Sequence, residues 1–245
     1  CRLRVEHELL YPILRNCALM SSLQDIQACV FDAYGTLFDV SSPMQRRRAK
    51  IGPEADKLNT LWRQKQLEYS WLRSLMGAHA DFWQVTAEAL DYAMAACNLK
   101  SPALRAELME LYLAILPYAE TVETVTKLKA AKKRTAILSN GSLTMLTSAV
   151  NHSRLTPHLD AVLTVDDIGI YKPHPRVYQM AVDRLDVQPE QVLFVSSNAW
   201  DVAGAAHFGF QVAWCNRMGN PPEKLPGKPV AEIKSLDEVL GLLGV

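Results

Sequence analysis

The sequence predicts an α/β protein: a parallel-sheet core interrupted by an inserted helical cap subdomain. Three observations carry this. Short apolar runs at residues 28–31, 135–138, 161–165, 192–195 and 212–214 are β-branched or bulky and bounded by polar or turn residues, as buried strands are. Helix-length amphipathic segments at 122–132, 142–151, 175–185 and 202–208 lie between most of them, and such alternation builds a parallel sheet with helices on both faces. From about residue 41 to 117 no strand pattern occurs.

In chain order, residues 1–19 read as an extension outside the fold. Their apolar stretch is broken by Pro12, closed by Arg15, and preceded by Glu6 and Glu8, so it suits neither a signal peptide nor a membrane span. Met20-Ser21-Ser22 reads as a natural start. Residues 20–40 and 118–245 form the expected core and 41–117 the cap. Within the cap, Leu58, Leu61, Trp62, Tyr69, Leu72 and Met76 recur near a helical period over 58–76, and 81–97 and 102–113 also read as helices. Pro221-Pro222 and Gly227-Lys228-Pro229 mark a loop before a last helix at 233–243.

Bulk properties narrow the function. The 245 residues can bury a full core, and 49% hydrophobic with 21% charged residues is ordinary for a globular chain. Lys plus Arg and Asp plus Glu both number 26, which gives no reason to expect a nucleic acid or a membrane as partner. Cys1, Cys17, Cys29, Cys97 and Cys215 are scattered without a CxxC pair, so neither a disulfide framework nor a zinc site follows. Free thiols fit a cytoplasmic location, and Cys29 inside an apolar run reads as a small core residue.

Ligand sites in open α/β sheets form at the carboxyl ends of the strands. Four such places carry polar residues. Asp32 ends the first run, with Gly35 free to turn the backbone and Thr36 able to hydrogen-bond the carboxylate; the competing reading is a turn or helix-capping Asp. Ser139 and Asn140 end the second run, where donors and turn amides suit an anion, or simply cap a helix. Lys172, before Pro173, can bring a cation that keeps a nearby carboxylate ionised, or be a surface lysine. The fourth run, Ser196-Ser197-Asn198-Ala199-Trp200-Asp201, gathers two hydroxyls, an amide, an indole and a carboxylate.

The order of these four signals resembles the four motifs of the haloacid dehalogenase superfamily, which implies a Rossmann-like core with a cap. Most members are phosphatases with a second Asp two places after the nucleophile and a magnesium site in the fourth motif. Here those positions hold Tyr34 and the Ser196-Ser197 pair, and Asp32 with Asp201 alone makes a poor magnesium site. FDAYGTLFDV, LWRQKQLEYSWLRSLM, SNGS, YKPHPRVY and FVSSNAWD are similar to the L-2-haloacid dehalogenases, with His174 a departure beside the third motif.

That resemblance implies a hydrolase acting on carbon–halide bonds. Asp32 would attack the halogen-bearing carbon of a 2-haloacid, and water would hydrolyse the aspartyl ester to a 2-hydroxy acid. Ser139 and the amides near Ala33 and Tyr34 would hold the substrate carboxylate. Arg63, Asn140 and Trp200 would receive the halide, and Tyr34, Gln64, Leu67, Phe82 and Trp200 would wall the carbon chain. Lys172 would stabilise charge on Asp32, with Tyr178 supporting Lys172 and Thr36 supporting Asp32. Asp201, with Asn198 and Ser196, would orient or activate the water, or Asp201 would only position Lys172. No cofactor or metal is implied, and relatives lead one to expect a homodimer. The rival readings are a magnesium-dependent phosphatase of this superfamily and a non-catalytic protein of the same fold.

Overall fold

The computed structural model describes Leu23 and residues 25–245. The expected extension at 1–19 and start at Met20 lie outside the described residues. Six strands form one parallel sheet: β1 (Ala28–Phe31), β2 (Arg134–Ser139), β3 (Ala161–Thr164), β4 (Val192–Ser196), β5 (Gln211–Cys215) and β6 (Ala231–Ile233). Their spatial order is β3-β2-β1-β4-β5-β6, so the chain grows outward from β1 in both directions. β1 pairs with β2 through Phe31 opposite Ile137 and with β4 through Phe31 opposite Val195. Every residue of β1 and β4 is buried, which is why both read as unbroken apolar runs rather than alternating ones. The crevice where the order reverses lies at the carboxyl ends of β1, β2 and β4, which places Asp32, Asn140 and Ser197 around one point.

Between β1 and β2 the chain makes α1 (Ser42–Gln45), α2 (Arg48–Ile51), α3 (Ala55–Met76), α4 (Phe82–Ala96), α5 (Pro102–Leu113) and α6 (Thr121–Ala130). The remaining helices are α7 (Leu143–His152), α8 (Pro175–Leu185), α9 (Ala199–Phe208) and α10 (Glu238–Leu243). Asp81 caps α4 by accepting the Gln84 N–H, and Ser101 caps α5 by accepting that of Leu104. The outgoing and returning links of α1 to α5 lie side by side: Asp39 N–H donates to Leu116 O (2.8 Å) and Tyr118 N–H to Leu37 O (3.0 Å). Those bonds fall next to the expected boundaries at 40/41 and 117/118.

Two expectations need correction. α3 does not bury the whole expected stripe. Leu58 and Trp62 are buried, but the inward face then continues through Gln66 and Ser70, while Leu72 and Met76 are 44% and 69% exposed. Gln66 can be inside because its amide donates to Thr86 Oγ1 (3.0 Å), which satisfies a polar group that burial would otherwise penalise. The last helix begins at Glu238 rather than at residue 233, because Ile233 belongs to β6. β6 itself, three residues beside a proline-rich loop, is too short to carry a period. Cys29 is a core residue as expected: burial pushes its thiol up to about 12, with Lys133 offsetting part of the effect. Among the described residues, no helix is long and apolar enough to cross a membrane.

Candidate active site

Asp32 follows β1 directly, and its backbone N–H donates to Val195 O (3.0 Å), continuing the β1–β4 ladder by one residue. The turn beyond it needs Gly35, whose φ of +93° is reached without strain only by glycine. It brings Thr36 back so that its hydroxyl donates to Asp32 Oδ2 (3.1 Å). Asn198 Nδ2 donates to the same oxygen (2.7 Å) and to Tyr34 O (3.1 Å). Thr36 Oγ1 also accepts the Ser197 N–H (2.8 Å), and Ser196 Oγ accepts that of Asn198 (3.1 Å). The nucleophile candidate is therefore held in one rotamer by the first and fourth motifs together.

Lys172 is completely enclosed, with its Nζ 3.1 Å from Asp32 Oδ1 and 2.8 Å from Asp201 Oδ2, and 4.9 Å from the centre of the Phe194 ring. Burial alone would push the ammonium down, but Asp201 and Asp32 more than offset it and hold it above the ordinary lysine value. Asp201 is raised to about 6, chiefly by burial, partly opposed by Lys172 and reinforced by repulsion from Asp32. Its other oxygen accepts the Tyr178 hydroxyl (2.8 Å). Tyr178 thus reaches Lys172 through Asp201. Asp201 likewise meets Asp32 across Lys172 rather than face to face, and both its oxygens are engaged. The Lys172 ammonium fills the space between the two carboxylates, where magnesium ligation would need them to converge on a cation.

Above Asp32 is a small cavity of about 10 Å³ whose wall includes Ser139, Asn140 and Asn198 from the core and Arg63, Leu67 and Phe82 from the helices between β1 and β2, with Tyr34 and Trp200. Ser139 Oγ accepts the Gly141 N–H (3.0 Å), leaving its own proton to donate. Asn140 Oδ1 accepts the Lys172 N–H (2.9 Å), which leaves its amide NH₂ for the cavity. The N–H groups of Ala33 and Tyr34 donate to no atom of the described residues. Arg63 Nη2 donates to Asn198 Oδ1 (3.1 Å), joining α3 to the fourth motif. Two further donors are buried without a partner among the described residues, Tyr34 Oη and Trp200 Nε1. Gly141 is needed here because a Cβ would come within 2.6 Å of the Tyr34 ring.

Of the residues expected at the site, Gln64 is not brought in. It is exposed on α3, about 100° round the helix from Arg63, and forms no part of the cavity wall. Ala33, Thr36, Lys172, Tyr178, Ser196 and Asp201 lie behind the wall and are buried. The sequence reading missed Tyr112, which stacks on Tyr34 at 5.6 Å and packs against Trp62 at 5.2 Å. It also missed Arg217, whose Nη2 donates to Thr36 O (3.1 Å). Neither carries a motif signal; both act through long-range contacts. A larger hollow of about 500 Å³ lies on the other side of Trp200 among Pro173, Ala203, Phe208 and Leu225, away from the Asp32 carboxylate.

A strand-end carboxylate beside a buried lysine, at the carboxyl edge of a parallel sheet, is an arrangement that suits a hydrolase. Residues 26–209 match the haloacid dehalogenase-like hydrolase family, and the chain belongs to it. It is 49% identical over 222 residues to (S)-2-haloacid dehalogenase 4A of Burkholderia cepacia, covering 90% of this chain and 96% of that one. It is equally similar, 49% over 222 residues, to (S)-2-haloacid dehalogenase 1 of Pseudomonas sp. (strain CBS-3), covering 90% and 98%. The structure of L-2-haloacid dehalogenase from Xanthobacter autotrophicus with covalently bound chloropropionic acid superposes with a TM-score of 0.83 at 37% identity, covering 89% of this chain and 98% of that one.

Proposed function

We propose that the chain is an (S)-2-haloacid dehalogenase, hydrolysing short-chain L-2-haloalkanoic acids to (R)-2-hydroxy acids and halide. The observation that carries this is the pairing of Asp32 with Lys172 beneath a small cavity, with Tyr34 where a phosphatase of this family has its acid. Halide is a very weak base and leaves without a proton, so loss of that acid is tolerated.

The substrate carboxylate sits on Ser139 and the open amides of Ala33 and Tyr34. An Asp32 oxygen attacks the halogen-bearing carbon from the face opposite the halogen. The new C–O bond forms as the C–halogen bond breaks, the halide leaves with the electron pair, and the carbon inverts. Holding the reactants in line supplies roughly 7 to 11 kcal/mol in favourable intramolecular cases. Arg63, Asn140 and Trp200 Nε1 meet the departing halide in a site from which the cap keeps water.

Water then adds to the carbonyl carbon of the Asp32 ester, the bond from that carbon to the substrate oxygen breaks, and the alkoxide leaves as the 2-hydroxy acid after taking the remaining proton of the added hydroxyl, which restores the Asp32 carboxylate. Asp201 takes the water's proton, Ser196 and Asn198 fix the neighbouring backbone, and Lys172 steadies the charge that develops on Asp32. In the resting site both Asp201 oxygens are engaged, so this step uses a lone pair beyond those bonded to Lys172 and Tyr178. The reaction is independent of metal, since Lys172 supplies the positive charge.

The outer side of α3 exposes Leu72, Leu75 and Met76, and α4 exposes Tyr92. Exposed apolar side chains of this kind support a homodimer formed through the caps; light scattering at micromolar concentration checks it, and a monomer mass counts against it. The free thiols and balanced charge favour the cytoplasm. The test of function is halide release from racemic 2-chloropropionate with chelator present, with half the substrate consumed and D-lactate formed. Turnover of a phosphate ester that chelator abolishes, beside no halide release, would replace the proposal with a phosphatase.

A further inference from the structure

Thr36 holds the Asp32 rotamer, and Thr36 is in turn held from outside the four motifs. Arg217 follows β5 on a short loop that is itself fixed. Asn216 N–H donates to Ile233 O (2.8 Å), and Asn216 and Asn220 exchange two further bonds of 2.9 and 2.8 Å. From that platform the Arg217 guanidinium makes three contacts at once. Nη2 donates to the Thr36 carbonyl (3.1 Å), Nη1 donates to Glu120 Oε1 (2.5 Å), and its Cζ lies over the Tyr118 ring, 3.9 Å from the centre. The side chain is only 17% exposed, so these contacts are poorly screened.

Thr36 belongs to the link leaving the sheet for α1 to α5, and Tyr118 and Glu120 belong to the link returning from them. The two links touch through the bonds between Asp39 and Leu116 and between Tyr118 and Leu37, and through the Thr121 hydroxyl on Leu37 O (3.0 Å). Arg217 is the side chain that grips both from the core side. We infer that Arg217 is a positioning residue: it clamps the paired links of the cap to the turn carrying Thr36, so that Asp32 takes its attacking rotamer only when the links are seated. The inference rests on Asp32 being the nucleophile of the proposed dehalogenase. It adds that cap seating and nucleophile orientation share one guanidinium.

Arg217→Lys is the informative variant, because lysine keeps the charge beside Glu120 but cannot bond Thr36 and stack on Tyr118 at the same time. Tyr118→Leu removes the stacking alone and guards against a folding failure. In single-turnover mixing with 2-chloropropionate, both variants should release halide more slowly, by about 10- to 100-fold for Arg217→Lys, with KM within about threefold of the parent. Hydrogen exchange, read without substrate, should quicken together at residues 36–39 and 116–121. A lowered melting temperature with an unchanged halide burst, or faster exchange confined to residues 216–220, overturns the clamp. A parent that releases no halide removes the dehalogenase reading instead, and the exchange result still decides whether Arg217 couples the links.

Discussion

The two halves of the cavity differ in how their hydrogen bonds are used. On the core side, Asp32, Thr36, Lys172, Tyr178 and Asp201 are buried and bonded to one another, with each Asp32 oxygen already accepting. On the opposite side, Tyr34 Oη and Trp200 Nε1 have no partner among the described residues, and Arg63 has a single bond to Asn198 in the site. A buried polar group left unpaired costs about 1–3 kcal/mol, so the protein holds the core half rigid and leaves the other half unsatisfied. That division suits a reaction in which the nucleophile must be aimed beforehand and the leaving group can be met only once it departs.

The sharpest way to break the comparison is Asp32→Asn. The fold should survive, because the amide keeps the shape although its NH₂ replaces one accepting oxygen of the network, while steady halide release falls by at least about 10,000-fold. Crystal or melting data showing a collapsed site would mean the network, not the nucleophile, had been tested. Next is Arg63, on the other side. Arg63→Gln should lower kcat by roughly 100- to 1,000-fold through lost stabilisation of the departing halide. The melting temperature should move little, since the side chain is half-buried, with one hydrogen bond to Asn198 and the Tyr112 hydroxyl beside it. A fall in stability with kcat preserved would make Arg63 a cap tether.

Asp201 tests the core half from within. Its carboxylate, raised to about 6 by burial, must be ionised to take a proton from water. Lowering the pH through about 6 protonates it and should lower the hydrolysis rate, giving an acid limb to kcat, whereas above that value the rate is flat. Asp201→Asn should release one equivalent of halide and then stall with an ester on Asp32, which mass spectrometry of the intact chain would show. If the first equivalent is itself slow, Asp201 acts by positioning Lys172.

The legibility of the molecule in its sequence follows the same division. Strands β1 to β5 could be read because buried parallel strands are continuous apolar runs, and each of the four polar clusters sits one residue or one loop beyond a strand. The cap was harder. Its long helix keeps a helical period, but the face that turns inward uses Gln66 and Ser70, chosen by hydrogen bonds to Thr86 Oγ1 and Leu67 O that no periodicity reports. Gln64 was misplaced for a related reason: a motif shared with a family identifies the helix, while the direction of one side chain is set by the helix's rotation. Arg217 and Tyr112 were invisible because they act on partners 181 and 78 residues away, Thr36 and Tyr34.

The smallest effect is also the one that joins stability to function. Tyr34 is 4% exposed, its hydroxyl has no partner, and burial, with Tyr112 and Asp32 adding to it, holds its pKa well above the ordinary tyrosine value. It is therefore a neutral donor with an unused proton at the cavity wall. Tyr34→Phe deletes that donor and keeps the ring that stacks on Tyr112. The unliganded protein should become more stable, by about 1 kcal/mol, because an unsatisfied buried group is removed. Turnover should fall by about tenfold or less, because a donor to the bound substrate or halide is removed with it. Paired denaturation and kinetic measurements check the two signs. A variant that gains stability without losing turnover would assign the Tyr34 hydroxyl no part in the reaction, and a variant that loses both would place its partner within the folded protein itself.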